Sequence, residues 1–175
     1  MMEKKINIAV IFGGRSGEHE VSLMSAASVL AVLDPSVYSV TQIGITQEGV
    51  WLTGDSVLEK LSTKKFDELQ PVTLFPEPRG GQLYIQKGNE LDPYRCVDVV
   101  FPVLHGTFGE DGTLQGLLEL ADVAYVGCGV LGSAVGMDKG LFKDVMIAHN
   151  IPVVDYLVTD RKHITSDVND VISNI

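Results

Sequence analysis

Cysteine is scarce in this chain, with two residues in 175. Cys96 and Cys128 match no paired metal or redox spacing, which excludes a disulfide framework and a thiolate metal centre. They are read as reduced thiols in or near the core of a cytosolic protein. Positive charge is scarce too: 13 Lys and Arg stand against 23 Asp and Glu, a formal net charge of -10. That balance excludes a general nucleic-acid binder, whose affinity comes from neutralising phosphates. A small anion held by a few local donors remains possible. No apolar run is long enough to span a bilayer. The opening MMEKKINIAVIFGG passes from charge to a short strand and then glycine, not to a signal peptide. Internal repeats and low-complexity linkers are also missing.

What is present is ordinary globular composition, 45% hydrophobic and 21% charged. A chain of this length buries roughly two-thirds of its unfolded surface and needs no staples. Ile6–Phe12 is a short run rich in β-branched residues, ended by Gly13-Gly14, and reads as a buried strand. VSLMSAASVLAVL predicts a helix stopped at Asp34-Pro35. Tyr38–Thr46 is a second strand, and TQEGVWL a hairpin with Gly49 at its turn. Residues 53–70 are polar and partly helical. VTLFPEPRGGQLYIQKG suggests a hairpin about Arg79-Gly80-Gly81, an edge excursion because its prolines would break a central strand. Val97–Leu104 is a continuous apolar strand, as in a parallel sheet covered on both faces. A helix over Thr113–Ala121, a short strand in AYVG, a longer helix over Ser133–Asn150 and a strand over Ile151–Thr159 follow. A last helix starts with Ser166 or Asp167 as its cap. The alternation predicts an α/β fold with a Rossmann-like parallel sheet and right-handed crossovers.

In open α/β sheets ligands bind beyond the carboxyl ends of the strands. Three glycine-rich segments fall there: GGRSGEHE, HGTFGEDG and VGCGVLGSAVGMDKG. The first does not supply the G-x-G-x-x-G of a dinucleotide loop, and no Walker A sequence occurs in the chain. Glu18 sits where a helix begins. Its carboxylate either complements the helix dipole or, kept ionised there, holds a cation such as an ammonium group. His105 leaves the end of a buried strand, and either reaches a ligand or hydrogen-bonds a nearby carbonyl. Glu110 and Asp111 are read as capping residues. Lys139 and Lys143 lie in or near a helix. A lysine suits phosphate as a compact charge, although most surface lysines are merely solvated.

Together these segments carry a resemblance. HGTFGEDGTLQG fits the H-G-x-x-G-E-D-G-x-[apolar]-Q-G signature of the D-alanine–D-alanine ligases. FGGRSGEHEVS resembles that family's G-G-x-S-x-E-x-x-V-S loop, and SAVGMDK its S-A-x-x-M-D-K segment. The matches run in order from about Ile6 to Pro152. The resemblance implies an N-terminal α/β (pre-ATP-grasp) domain over residues 1–133 and the first elements of an ATP-grasp domain over 134–175. It implies an enzyme that joins two D-alanines, using ATP and two magnesium (or manganese) ions, for a peptidoglycan precursor. By motif position Glu18 orients the first alanine's ammonium group and Val21 touches its methyl. His105 stands beside the substrate and its acyl phosphate, and Lys139 contacts nucleotide phosphates. No magnesium ligand is expected in this chain, since the family's lie further on, with its lid and catalytic arginine. The chain is therefore expected to be an N-terminal fragment, inactive by itself. A cytoplasmic homodimer formed through the N-terminal domain, binding neither membrane nor nucleic acid, is also implied. The alternatives are a non-catalytic small-anion-binding or dimerisation domain, and a variant whose acceptor is D-lactate or D-serine.

Overall fold

The computed structural model describes residues 4–78, 80–159, 161–166, 168 and 172. Its elements in chain order are β1 (Ile6–Gly13), α1 (His19–Val32), β2 (Tyr38–Ile45), β3 (Trp51–Thr53) and α2 (Val57–Ser62). Then come β4 (Gln70–Leu74), β5 (Gln82–Lys87), β6 (Glu90–Cys96), β7 (Val99–Leu104), α3 (Thr113–Leu120) and β8 (Ala124–Tyr125). The last three are the helices α4 (Val130–Met137), α5 (Lys139–Ala148) and α6 (Arg161–Ser166). The chain divides into two compact units, Met1–Met137 and Asp138–Ile175.

The first unit is built on an eight-stranded sheet among the described residues, in the order β6-β5-β4-β3-β2-β1-β7-β8. β1 lies at the centre of its parallel half, paired with β2 from Ile6↔Tyr38 and with β7 from Ile8↔Val99. All but two of its eight residues are buried, as a strand covered on both faces requires. Alternation then sorts its side chains. Ala9 and Ile11 join Ile43, Val100, Leu114 and Leu118 in the core under α3. Val10 and Phe12 join Leu23, Ala26, Val57 and Leu61 in the core under α1 and α2.

The expected parallel sheet is thus mixed. The half from β2 to β8 is parallel, whereas β3, β4, β5 and β6 add antiparallel hairpins at one side. The sequence reading anticipated two of these hairpins but not β6, whose Pro93 suits an edge strand. Arg79, at the turn of the expected hairpin, lies outside the described residues. Residues 53–70 hold α2 and a 3-10 turn at Phe66–Glu68, anchored by buried Val57 and Leu61.

Other expectations are corrected. Cys96 and Cys128 are exposed. Cys96 ends the edge strand β6 and Cys128 lies in the loop after β8, so neither meets a covered face. The single helix over Ser133–Asn150 is two helices, because Asp138 takes an extended conformation and its carboxylate accepts from Leu141 N at 3.0 Å. That is an N-cap, and it starts α5 afresh. Ile151–Thr159 forms no strand, having no pairing partner among the described residues. The last helix is already formed at Arg161, so Ser166 is a helical residue rather than its cap. Asp167 lies outside the described residues.

Candidate ligand site at the carboxyl edge of the sheet

β1 and β7 run parallel and end side by side, Gly13 opposite Leu104. The two loops that follow them are therefore neighbours. Gly13 has φ 89°, and a Cβ there would strike the Ile45 carbonyl. The tight exit turns the chain into Gly14, whose N–H donates to the same carbonyl at 2.9 Å. His19, buried, anchors the turn through Nδ1, 2.9 Å from the Gly14 carbonyl.

Three serines then bind loop and helix to the end of β7. The fully buried Ser22 accepts from Gly13 N at 2.7 Å and donates to the Val103 carbonyl. Ser16 Oγ donates to the His105 carbonyl at 2.8 Å. Ser25 Oγ lies 3.0 Å from His105 Nε2. Glu18, Val21 and Ser25 follow at helical spacing and share one face of α1.

The second loop closes on itself. Glu110 Oε2 accepts from Gly106 N at 2.6 Å, so Glu110 ties the loop rather than capping a helix. Asp111 Oδ1 accepts from Thr113 N at 3.0 Å and its Oδ2 from Phe108 N at 2.8 Å. Asp111 thus serves the start of α3 as expected, although Gly112 occupies the cap position itself. Burial pushes its carboxyl up, but the hydrogen bonds from Phe108 and Thr113 outweigh that and hold it below its ordinary value.

Glu18 and His105 lie at the same edge of the sheet. The Glu18 carboxylate rests on Gly106, the neighbour of His105; a Cβ on Gly106 would come within 2.6 Å of Glu18 Oε2. Gly106 also has φ 72°, so glycine is required there twice over. Glu18 occupies the N-cap of α1, yet its side chain makes no capping bond. The carboxylate is exposed and has no hydrogen-bond or ion-pair partner among the described residues. Val21 is exposed beside it, and His105 is half-buried. Lys139 belongs to the second unit, where it is the exposed first residue of α5. Lys143 is engaged there, donating to the Val154 carbonyl at 3.2 Å and lying over the Tyr156 ring.

A cleft of about 330 Å³ opens beside these loops. His105 lines it, but Glu18 and Val21 do not. Its floor, with Leu104, Leu114 and Leu117, belongs to the α3 side of the sheet. At its mouth the Arg15 guanidinium stacks on Phe108.

A family model described as D-ala D-ala ligase N-terminus matches residues 7–128. The chain belongs to that family. Among relatives of this ligase family, the D-alanine–D-alanine ligase of Natranaerobius thermophilus is 44% identical over 98% of this chain and 47% of its own length. That of Corynebacterium diphtheriae is 49% identical over 85% of this chain and 42% of its own. The solved D-alanine-D-alanine ligase from Coxiella burnetii superposes with a TM-score of 0.80 at 36% identity, covering 97% of this chain and 49% of that one. The VanG D-Ala:D-Ser ligase from Enterococcus faecalis gives 0.79 at 34%, covering 98% and 50%. The chain spans about half the length of the ligases it matches.

Reading the sequence missed Ser16, Ser22 and Ser25 as the ties between the two loops. A signal existed for Ser25, which stands seven residues after Glu18 and so on its helical face. The reading also missed that Gly127–Gly132, GCGVLG, has the G-x-G-x-x-G spacing. That segment runs into the first turn of α4 beside β8, a two-residue edge strand, not the central strand of a dinucleotide fold.

Proposed function

We propose that this chain supplies the N-terminal part of an ATP-dependent D-alanine–D-alanine ligase, and within it the site for the first D-alanine. The observation that carries the reading is the unpartnered Glu18 carboxylate held against Gly106 beside His105. In that role Glu18 accepts hydrogen bonds from the ammonium group, and Val21 meets the methyl. His105 lies against the carboxylate that is to be activated. Holding the amino acid by its ammonium and methyl turns the carboxylate toward the reaction, and such positioning is a large part of the catalysis of group transfer.

ATP, when bound, supplies the phosphoryl group that activates the carboxylate for attack by the second alanine's amine. Lys139 fits a phosphate contact, being an exposed cation whose neighbour Asp138 is already used as the cap of α5. Magnesium does not fit the residues present. No group of three His, Cys, Asp or Glu side chains suited to a metal occurs among the described residues. A cytoplasmic homodimer is part of the same reading and rests on the family. Among the described residues no helix is long and apolar enough to cross a membrane. D-alanine is taken as the second substrate after the relatives' names; the VanG neighbour, named a D-Ala:D-Ser ligase, marks D-serine as the competing acceptor.

The test is titration of the chain with D-alanine, followed by NMR at Glu18, Val21 and His105, with L-alanine as control. Glu18→Gln keeps the shape and removes the charge, and is expected to weaken D-alanine by one to two decades, from roughly 1.5–3 kcal/mol for a charge-assisted bond. Equal responses in the parent and in Glu18→Gln would reject the assignment. With ATP, magnesium and D-alanine together, this chain is expected to form no dipeptide.

A further inference from the structure

Ser25 Oγ stands 3.0 Å from His105 Nε2. Helical serines commonly donate to the carbonyl four residues back, as Ser28 does to Met24. Ser25 does not: its one side-chain hydrogen bond among the described residues is to His105. A hydroxyl carries a single hydrogen that rotates to suit its surroundings. The backbone on either side of the imidazole is already fixed. The Val103 carbonyl accepts from Ser22, and the carbonyl of His105 itself accepts from Ser16. Ring orientation and proton location are what remain for Ser25 to set. The other nitrogen, Nδ1, has no hydrogen bond among the described residues.

We propose that Ser25 is a positioning residue that donates its hydroxyl hydrogen to His105 Nε2 and thereby holds the neutral imidazole with its proton on Nδ1. Which imidazole nitrogen carries the proton is set by the bond the other one makes. Free histidine prefers the opposite arrangement, with the proton on Nε2. Ser25 reverses that preference. Nδ1–H is then a fixed donor, suited to a carboxylate or phosphate oxygen, which are acceptors only. An imidazole with a bare Nδ1 would instead turn a lone pair toward the anion. Ser25 acts on the ligand through His105 and does not touch it.

The inference rests on His105 being a group of the ligand site, but its test needs no ligand. The chain is labelled with 15N-histidine, and the two ring nitrogens of His105 are assigned at alkaline pH by their long-range couplings to the ring protons. The parent is expected to carry the proton on Nδ1. Ser25→Ala is expected to move it predominantly to Nε2, and Ser25→Thr to return it to Nδ1. Unchanged amide signals at Gly13 and Ser22 would establish that the fold is intact. A parent with the proton on Nε2 overturns the proposal, and so does a Ser25→Ala chain that keeps the parent pattern. Should Ser25→Ala not fold, the parent measurement and Ser25→Thr still decide. A His105 that does not respond to D-alanine would undo the ligand-site reading while leaving the tautomer result untouched.

Discussion

The guanidinium of Arg15 lies 4.1 Å from the centroid of the Phe108 ring, joining the loop after β1 to the loop after β7. Phe108 makes this contact from a left-handed backbone conformation, φ 65°. Such a conformation costs a non-glycine residue about 1 kcal/mol or more. An exposed cation–π contact returns about 0.5–1 kcal/mol. Phe108→Ala keeps the strain and loses the stack, and is expected to destabilise by about 1 kcal/mol. Phe108→Gly loses the stack and the strain together. It should therefore be the more stable of the two variants by about 1 kcal/mol, the reverse of glycine's usual standing. Urea unfolding of the three chains decides it, and an alanine variant more stable than the glycine variant would refute the strain.

Ser22→Ala removes a fully buried hydroxyl with two backbone partners, Gly13 N and the Val103 carbonyl. Both are left unsatisfied, at about 1–3 kcal/mol for each buried group. A loss of about 2–3 kcal/mol in urea unfolding is expected, after allowing for some access of water. A loss under half a kcal/mol would mean that Ser22 does not tie β1 to β7.

Asp111 predicts an acid-dependent step. Its carboxyl is depressed in the folded chain, because bonds from Phe108 and Thr113 outweigh burial. A depressed carboxyl adds stability above its unfolded value, about 3.9. That contribution is lost as pH falls through the lower, folded value. Asp111→Asn replaces one of the two accepting oxygens by an amide NH2 and should thus cost about 1 kcal/mol at neutral pH, the worth of one hydrogen bond. The gap between variant and parent should close below about pH 4. Urea midpoints at several pH values test it; a gap that persists undiminished in acid would assign the effect to something other than ionisation.

Gly106→Ala meets two obstacles, a φ of 72° and the Glu18 carboxylate 2.6 Å from the new Cβ. The backbone cost is about 1–2 kcal/mol. Glu18 can swing aside, since it is exposed and unbonded, so the chain should fold. D-alanine binding is then expected to fall further than stability alone explains. Calorimetric titration beside urea unfolding separates the two. Binding retained at the parent level would show that the position of Glu18 is immaterial.

The sequence was most informative where one force dominates. The buried strands β1, β2 and β7 are long apolar runs, and their neighbouring loops carry glycines that only a tight strand exit or a close approach explains. That Glu18 and His105 lie at one edge was legible because parallel strands deliver their following loops to the same end of the sheet. The elements that were misjudged depend on partners far away in the chain. β6 reads as polar, with Pro93 inside it, and is a strand because β5 pairs with it. Ile151–Thr159 has strand character, yet strand character without a partner makes no ladder. Asp138 breaks a helix that propensity alone would continue. The serines were overlooked because a hydroxyl's role depends on what lies opposite, and Val103 and His105 are opposite only after folding.

The central strand also sets the order in which the molecule can assemble. Asn7 donates to the Asp98 carboxylate across 91 residues of chain, and β1 meets β7 over the same span. Closing a loop of that length costs about 4 kcal/mol of chain entropy, while the hairpins from β3 to β6 close short ones. The hairpins can therefore form early, and the β1–β7 seam must come late. Ser16, Ser22 and Ser25 all bridge that seam. On a growing chain Glu18 and Val21 emerge long before His105, so the two loops of the candidate site first meet when the slowest pairing in the sheet is made.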